Sequence, residues 1–480
     1  MNYHMIRYIL GQIMKLEAAL MGLPLLVSLY YLDEGMIPLL SVMLPLGILG
    51  YILTGFKPKN QNIYAREGFV IVAFAWILLS VFGALPFVIS GNIPDYVDAF
   101  FETVSGFTTT GSTLVPDVES FPMSLKMWRS FTHWIGGMGV LVFALAILPA
   151  GSAQSMYIMR AEVPGPSVGK LVAKTQITAR ILYGIYVFFT VLEAVMLRFT
   201  GMRWFDCAAN AFATAGTGGF SVLNNGIGGY NNVWVEVIIT AFMLIFSINF
   251  NLFYLILIKR FSDVLHNAEI KVFFGIYILC TLMITFNIAP LYHSFSKALR
   301  YAGFTVASLS SSTGFGNSDF TQWPGFSQTI LILLMFCGAC AGSTGGGLKV
   351  ARVMILLKSG VREMRRQLNP RMVSTVKLEG QSMDSEQLST HGSFFIIYMV
   401  ILLVSTLFIS LDKYGFEVSF SAALTALNNM GPGLGAIGPY GNFSEFTPLS
   451  KLVIAFDMLA GRLEIFPVLI AFMPRTWKKA

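Results

Sequence analysis

The sequence predicts an all-α polytopic membrane protein: an N-terminal helix hairpin, then four repeats, each a spanning helix, a re-entrant half-helix and a second spanning helix. Three observations predict it. The 480-residue chain is 55% hydrophobic and only 12% charged, whereas a soluble surface needs about one charged residue in four. Apolar stretches of about 20 residues, the length a bilayer demands, recur along its whole length. One helix–loop–helix pattern returns four times after residue 67. About ten spanning helices and four half-helices follow, arranged with pseudo-four-fold symmetry.

The candidate spans are 5–31, 36–55, 68–90, 127–149, 178–200, 231–258, 270–290, 326–358, 392–411 and 449–473. The first is too long for a signal peptide, lacks a small-residue cleavage site and contains Lys15 and Glu17, so it reads as a retained helix. Residues 1–56 form the hairpin. The repeats occupy 67–150, 175–260, 268–370 and 390–475, the third with an interrupted second helix.

The half-helices are expected at 94–107, 203–215, 294–309 and 416–428. At about 1.5 Å per residue they cannot cross the hydrocarbon core. Pro94 suits a first turn, and Asp95 and Asp98 suit a helix N-terminus. A Gly/Thr/Ser-rich loop follows each: Gly106-Phe-Thr-Thr-Thr-Gly111, Ala213-Thr-Ala-Gly-Thr-Gly218, Leu309-Ser-Ser-Ser-Thr-Gly314 and Leu427-Asn-Asn-Met-Gly431.

Charge placement orients the chain. Basic residues cluster in alternate connections: Lys57, Lys59 and Arg66; Arg160, Lys170, Lys174 and Arg180; Lys259, Arg260 and Lys271; the run from Lys349 and Arg352 to Lys377; and Arg475, Lys478 and Lys479. The other connections carry Asp33, Glu34, Asp95, Asp98, Glu102, Asp117 and Glu119. The positive-inside rule then places both termini in the cytoplasm. Because the basic clusters fall only between spans, a nucleic-acid-binding face is excluded. Cys337-Gly-Ala-Cys340 lies within an apolar span with no second pair of soft ligands nearby, so it reads as small buried residues.

Irregular backbone at membrane depth is tolerated only where protein buries it or it lines water. A cation that sheds its water needs oxygens in exchange, and backbone carbonyls supply them. Glycine permits the φ/ψ values that turn carbonyls inward. A half-helix also aims its partially negative C-terminal end at the same point. Four such loops imply one cation pathway. The candidate filter is Thr109, Thr110 and Gly111; Ala215, Gly216, Thr217 and Gly218; Ser312, Thr313 and Gly314; and Asn429, Met430 and Gly431.

With Thr109-Thr-Gly-Ser-Thr, Gly218-Gly-Phe-Ser, Asn428-Asn-Met-Gly-Pro-Gly-Leu-Gly and Gly342-Ser-Thr-Gly-Gly-Gly-Leu-Lys, nearly the whole chain resembles the Trk/Ktr/HKT superfamily of potassium transporters. The extra N-terminal hairpin makes it most similar to the TrkH/TrkG branch. The resemblance implies four M1–pore helix–M2 units around one pore, potassium as the ion carried, and filter glycines at the four central positions. A first-loop glycine is associated there with potassium, and a serine with sodium. It further implies a prokaryotic cytoplasmic membrane, a homodimer with one pore per subunit, and a cytosolic TrkA-like nucleotide-binding regulatory protein. The fourth loop departs from Thr-x-Gly, so four identical rings are not expected.

The run Gly338–Gly347 breaks or loosens its span. It is either a packing seam of small residues or a loop in the permeation path. The resemblance implies the second, a gate at Gly342, Ser343, Thr344, Gly345, Gly346 and Gly347. A phosphate-binding loop is rejected, because Leu348 stands at the lysine position, Val350 at the Ser/Thr position, and no soluble strand precedes. Arg462 lies within the last span, either paired with an acid such as Glu464 or facing the pore. The resemblance implies the pore-facing role. The turn Arg160–Pro166 is either a loop punctuator or a docking site, and the polar segment 378–391 is expected to be a strand or turn.

A secondary symporter coupling potassium to protons or sodium is the competing reading, with Glu193, Glu236, Asp457, Glu464 and His133 as its ionisable candidates. An enzyme would need a nucleophile beside a base. Ser343 and His133 are the tempting pair, and no spacing joins them.

Overall fold

The computed structural model describes residues 1–56, 58, 60, 63–139, 175–371, 375–378 and 381–478. Arg160–Pro166 and the basic residues Lys57, Lys59, Lys170, Lys174 and Lys479 lie outside them. So do the second half of the 127–149 stretch and part of the polar segment 378–391.

Asn2 opens the chain as a cap whose side chain accepts the Met5 N–H. Helices α1 (Tyr3–Leu20) and α2 (Gly22–Tyr31) form one 29-residue apolar span, and α3 (Met36–Thr54) returns along it. Small residues permit the crossing. A Cβ on Gly50 would lie 2.8 Å from the Gly11 carbonyl oxygen. Leu44, Ile48 and Ile52 stay exposed on the outer face of α3, as lipid contact allows. The turn between α2 and α3 is tied to the next unit: Asp33 accepts the Ser124 N–H and hydroxyl, each at 2.8 Å.

The first unit comprises α4 (Ala65–Gly83), α5 (Leu85–Ile89), the short α6 (Tyr96–Phe107) and α7 (Met123–Gly137). The second has α8 (Thr175–Phe199), short α9 (Trp204–Gly216), α10 (Val233–Phe246) and α11 (Phe250–Leu257). After α12 (Phe261–His266), the third has α13 (Ala268–Tyr292), short α14 (Phe295–Ser310), α15 (Gly325–Cys337) and α16 (Val350–Leu368). The fourth has α17 (Ser385–Ile409), short α18 (Phe416–Leu427), α19 (Pro448–Arg462), α20 (Phe466–Phe472) and α21 (Pro474–Trp477). Between the third and fourth, the expected strand is a two-residue ladder of β1 (Lys377–Leu378) on β2 (Gln381–Ser382). The Asp95 side chain caps α6 from Val97 and Asp98 N–H, and Pro94 stands before the cap rather than in the first turn.

Only six described helices are long and apolar enough to cross a membrane, or seven counting a bent pair. The remaining expected spans are built from shorter helices, and the end of the 127–149 stretch lies outside the described residues. The second helix of every unit stops early: α7 after 15 residues, α10 after 14, α15 after 13 and α19 after 15. Each is therefore about 20 Å long, short of the roughly 30 Å core. The chain bends by 90° between α10 and α11. Beyond α19, Glu464 and Ile465 take φ values of 58° and 63°. Glycines accumulate in the sequence at the break after α15 and at the end of α7, in Gly136-Gly137-Met-Gly139. The breaks after α10 and α19 are decided by contacts around a shared centre.

Candidate ion pathway

The four short helices end in the same way. In each, the last turn closes with one N–H bonded five residues back and its predecessor bonded three back. Thr110 N reaches Ser105 O at 2.9 Å, Gly218 N reaches Ala213 O at 2.9 Å, Thr313 N reaches Ser308 O at 2.8 Å, and Met430 N reaches Thr425 O at 2.9 Å. This is a Schellman end, whose left-handed residue is ordinarily glycine. Here it is Thr109, Thr217, Ser312 or Asn429, with φ between 52° and 58°. Two residues further on, Gly111, Gly219, Gly314 and Gly431 all have φ between 77° and 88°.

These glycines interlock. A Cβ on Gly111 would lie 1.9 Å from the Gly218 oxygen, and one on Gly219 would lie 2.1 Å from the Thr313 oxygen. On Gly314 it would lie 2.1 Å from the Met430 oxygen, and on Gly431 2.7 Å from the Thr110 oxygen. The contacts run from loop to loop and return to the first. Four loops thus form a closed ring of backbone in which any side chain at the glycine would strike a neighbour's carbonyl.

The second loop corrects the sequence register. Ala215 and Gly216 are the last residues of α9, and the glycine equivalent to Gly111 is Gly219 rather than Gly218. Two adjacent glycines hid the register. The missed signal is the match of Gly219-Phe220 to Gly314-Phe315. The fourth loop keeps the geometry despite its different residues. Its Asn429 amide donates to the Thr110 hydroxyl at 3.0 Å and the Met458 carbonyl at 2.8 Å.

A buried pair braces the ring from outside. Arg129 Nε donates to Glu102 Oε1 at 2.6 Å. Glu102 also accepts the Thr113 hydroxyl and the Leu114 N–H. Arg129 reaches the Ser221 carbonyl and lies 3.5 Å from the Phe220 ring centroid. The pair therefore grips the first and second loops just beyond their glycines. His133 ties the last turn of α6 to the second loop. Its Nδ1 lies 2.7 Å from the Gly106 oxygen, and its Nε2 accepts the Phe220 N–H at 3.3 Å. With one nitrogen donating and the other accepting, the ring is neutral.

Beneath the ring, residues 338–349 join α15 to α16 and touch the second, third and fourth units. The Gly346 N–H donates to the Ser312 hydroxyl at 2.5 Å. A Cβ on Gly346 would lie 2.4 Å from the Asn428 oxygen, and one on Gly345 2.7 Å from the Ser311 oxygen. Cys340 N–H bonds Ser247 O, and Gly342 O accepts from Phe250 N–H, which explains the bend between α10 and α11. Ser343 donates to the Cys340 carbonyl at 2.6 Å, and Gly347 packs against Gly338. Arg462 completes the contacts, donating to Thr344 O at 2.8 Å and to Gly136 O and Gly137 O at 2.6 Å each. Glu464 turns instead to Arg352, 2.5 Å away. The basic run beginning at Lys349 therefore divides. Lys349, which donates to the Gly345 carbonyl, and Arg352 are buried, and exposure starts at Lys358.

Most of the ionisable candidates have hydrogen-bond or ion-pair partners. Glu236 accepts from the Asn317 amide at 2.9 Å and faces Arg300 at 3.4 Å. Asp457 accepts the Ser405 hydroxyl at 2.8 Å. Glu193 is buried, and neither of its carboxylate oxygens lies in hydrogen-bond geometry with a neighbour among the described residues. His133 is bonded to Gly106 and Phe220, away from the Ser343 hydroxyl.

Fold and site together define a helical membrane transport protein. The chain belongs to the TrkH family of cation transport proteins, which matches residues 50–479. It is 36% identical over 488 residues to the Trk system potassium uptake protein TrkH of Escherichia coli strain K12, with 100% of each chain covered. To TrkG of the same strain it is 30% identical over 482 residues, covering 99% of each. The crystal structure of the potassium transporter TrkH from Vibrio parahaemolyticus superposes with a TM-score of 0.88 at 32% identity, with 100% of both chains covered.

Proposed function

We propose that the chain carries potassium into the cell across the cytoplasmic membrane of a prokaryote, channel-like, through the ring of loops. The closed ring of carbonyls at Thr110, Gly218, Thr313 and Met430 is the observation that carries this reading. Carbonyl oxygens replace the water shell of a dehydrating cation. The C-terminal ends of four half-helices add partial negative charge at the same place. The relatives' names supply the ion, since both are potassium uptake proteins.

The loop 338–349 and Arg462 form the barrier beneath. A guanidinium held at that depth repels a cation, and the loop's glycines let it move. A cytosolic nucleotide-binding regulatory protein of the TrkA kind opens it, acting on the basic cytoplasmic face that begins at Lys358. Two copies assemble as a homodimer, each with its own path, and both termini face the cytoplasm, as the alternation of basic connections supports.

The test is isotope flux in vesicles with the potassium, sodium and proton gradients varied separately. Current that reverses at the potassium equilibrium potential supports the channel. Saturating flux that follows the proton gradient supports symport and overturns it.

A further inference from the structure

One carboxylate closes the mouth of the intramembrane loop. Glu269, in the first turn of α13, is buried. Its Oε1 accepts the Ala341 N–H at 2.7 Å and the Ala351 N–H at 3.0 Å. Ala341 lies at the start of the Gly/Ser/Thr run, and Ala351 is the second residue of α16. The negative charge therefore also sits at the N-terminus of α16, where it is favoured. A parallel backbone bond, Val350 N–H to Ala339 O at 3.1 Å, runs beside it. These bonds make a narrow neck, and above it the loop reaches Ser312 and Thr344 meets Arg462.

We propose that Glu269 is a positioning residue of the gate: a staple that holds the two ends of the loop together and keeps the path closed. Any displacement of α16 is then passed through the carboxylate to Ala341 instead of being absorbed in a slack loop. α16 is suited to receive such a displacement, because Lys358, Arg365 and Arg366 are exposed further along it. Asn267, whose side chain caps α13 at the Ile270 N–H, fixes the helix end that carries Glu269. The staple thus also senses the connection between the second and third units. Hydrogen bonds to a charged acceptor are the strong ones, so replacing the carboxylate by a neutral amide weakens both together.

This inference rests on the loop being the barrier, and the experiment separates the two. The full-length protein is reconstituted without any partner protein, and basal rubidium flux is measured for wild type, Glu269→Gln, Glu269→Asp and Arg462→Ala. Glu269→Gln is expected to raise basal flux about ten-fold, with the potassium-over-sodium preference retained. Glu269→Asp, which keeps the charge, restores part of the closure. A general packing defect would lose the ion preference together with the closure. Unchanged flux in Glu269→Gln, with raised flux in Arg462→Ala, overturns the staple alone. Unchanged flux in both overturns the gate itself. Should Glu269→Gln not fold, Ala351→Pro deletes one of the two donors at a first-turn position that tolerates proline. Raised flux there supports the staple, and unchanged flux overturns it.

Discussion

Arg462 donates to the Gly136 carbonyl at 2.6 Å, joining the last residue of α19 to the last turn of α7 across 326 positions of sequence. The carbonyls it bonds belong to a helix C-terminus, a place that favours a cation. They share the charge without cancelling it, and the nearby Glu464 is held by Arg352. A positive group thus stands where the second helices stop. Arg462→Ala is expected to raise ion flux about ten-fold or more. Equal flux from wild-type and variant protein in vesicles would contradict a barrier at this residue.

The ring geometry predicts which glycine of the second loop matters in the manner of Gly111. A methyl group at Gly219 would meet the Thr313 carbonyl at 2.1 Å, on a backbone with φ of 77°. Gly219→Ala should abolish selective potassium uptake, measured as rescue of growth in potassium-limited cells. Ala215→Gly alters only the last turn of α9, at a cost of about 1 kcal/mol, and should leave uptake intact. Loss of uptake in the second variant would restore the register expected from sequence.

Arg129 and Glu102 brace two loops at once and are both buried. Removing one partner of a buried pair leaves an uncompensated charge and typically costs about 3–5 kcal/mol. Arg129→Leu should lower the unfolding temperature in detergent and relax the preference for potassium over sodium, because Thr113, Leu114 and Ser221 lose their anchor. A variant with full thermal stability would exclude this bracing role.

Asp33 supplies a pH dependence outside the membrane. Burial raises its carboxyl pKa, but hydrogen bonds from Ser28, Ser124 and Gly35 outweigh it and hold the group below its ordinary value. A carboxyl depressed in the folded state contributes stability above its unfolded value, near 3.9, and that contribution is lost as pH falls through the folded value. The tie between the N-terminal hairpin and Ser124 should therefore be unaffected from neutral pH down to about 5 and weaken below 4. Hydrogen exchange at the Ser124 amide measures it, and Asp33→Asn should remove the dependence.

Much of this molecule is legible locally. The half-helices were placed within a few residues because an apolar segment too short to span, followed by Gly and Thr, admits few other readings. The loop at 338–347 announced itself by glycine content, and Arg462 by its depth. The register of the second loop was easily missed, since Gly218 and Gly219 are chemically identical and only the following Phe220, matching Phe315 after Gly314, tells them apart. The breaks after Phe246 and Arg462 carry no comparable glycine run. They arise because Ser247, Phe250 and Thr344 exchange hydrogen bonds with partners about 90 to 120 residues away.

The sequence by itself determined the solvent and the parts: a lipid environment, from apolar length and scarce charge, and four short helices ending in glycine loops. Only the tertiary structure decided which backbone carbonyl meets which glycine, which carbonyls Arg462 holds, and that one oxygen of Glu269 closes the loop's mouth. Hydrophobic length and glycine content are properties of a contiguous segment, so they survive in the linear chain. A ring closed by contacts among four separate segments exists only once those segments have met.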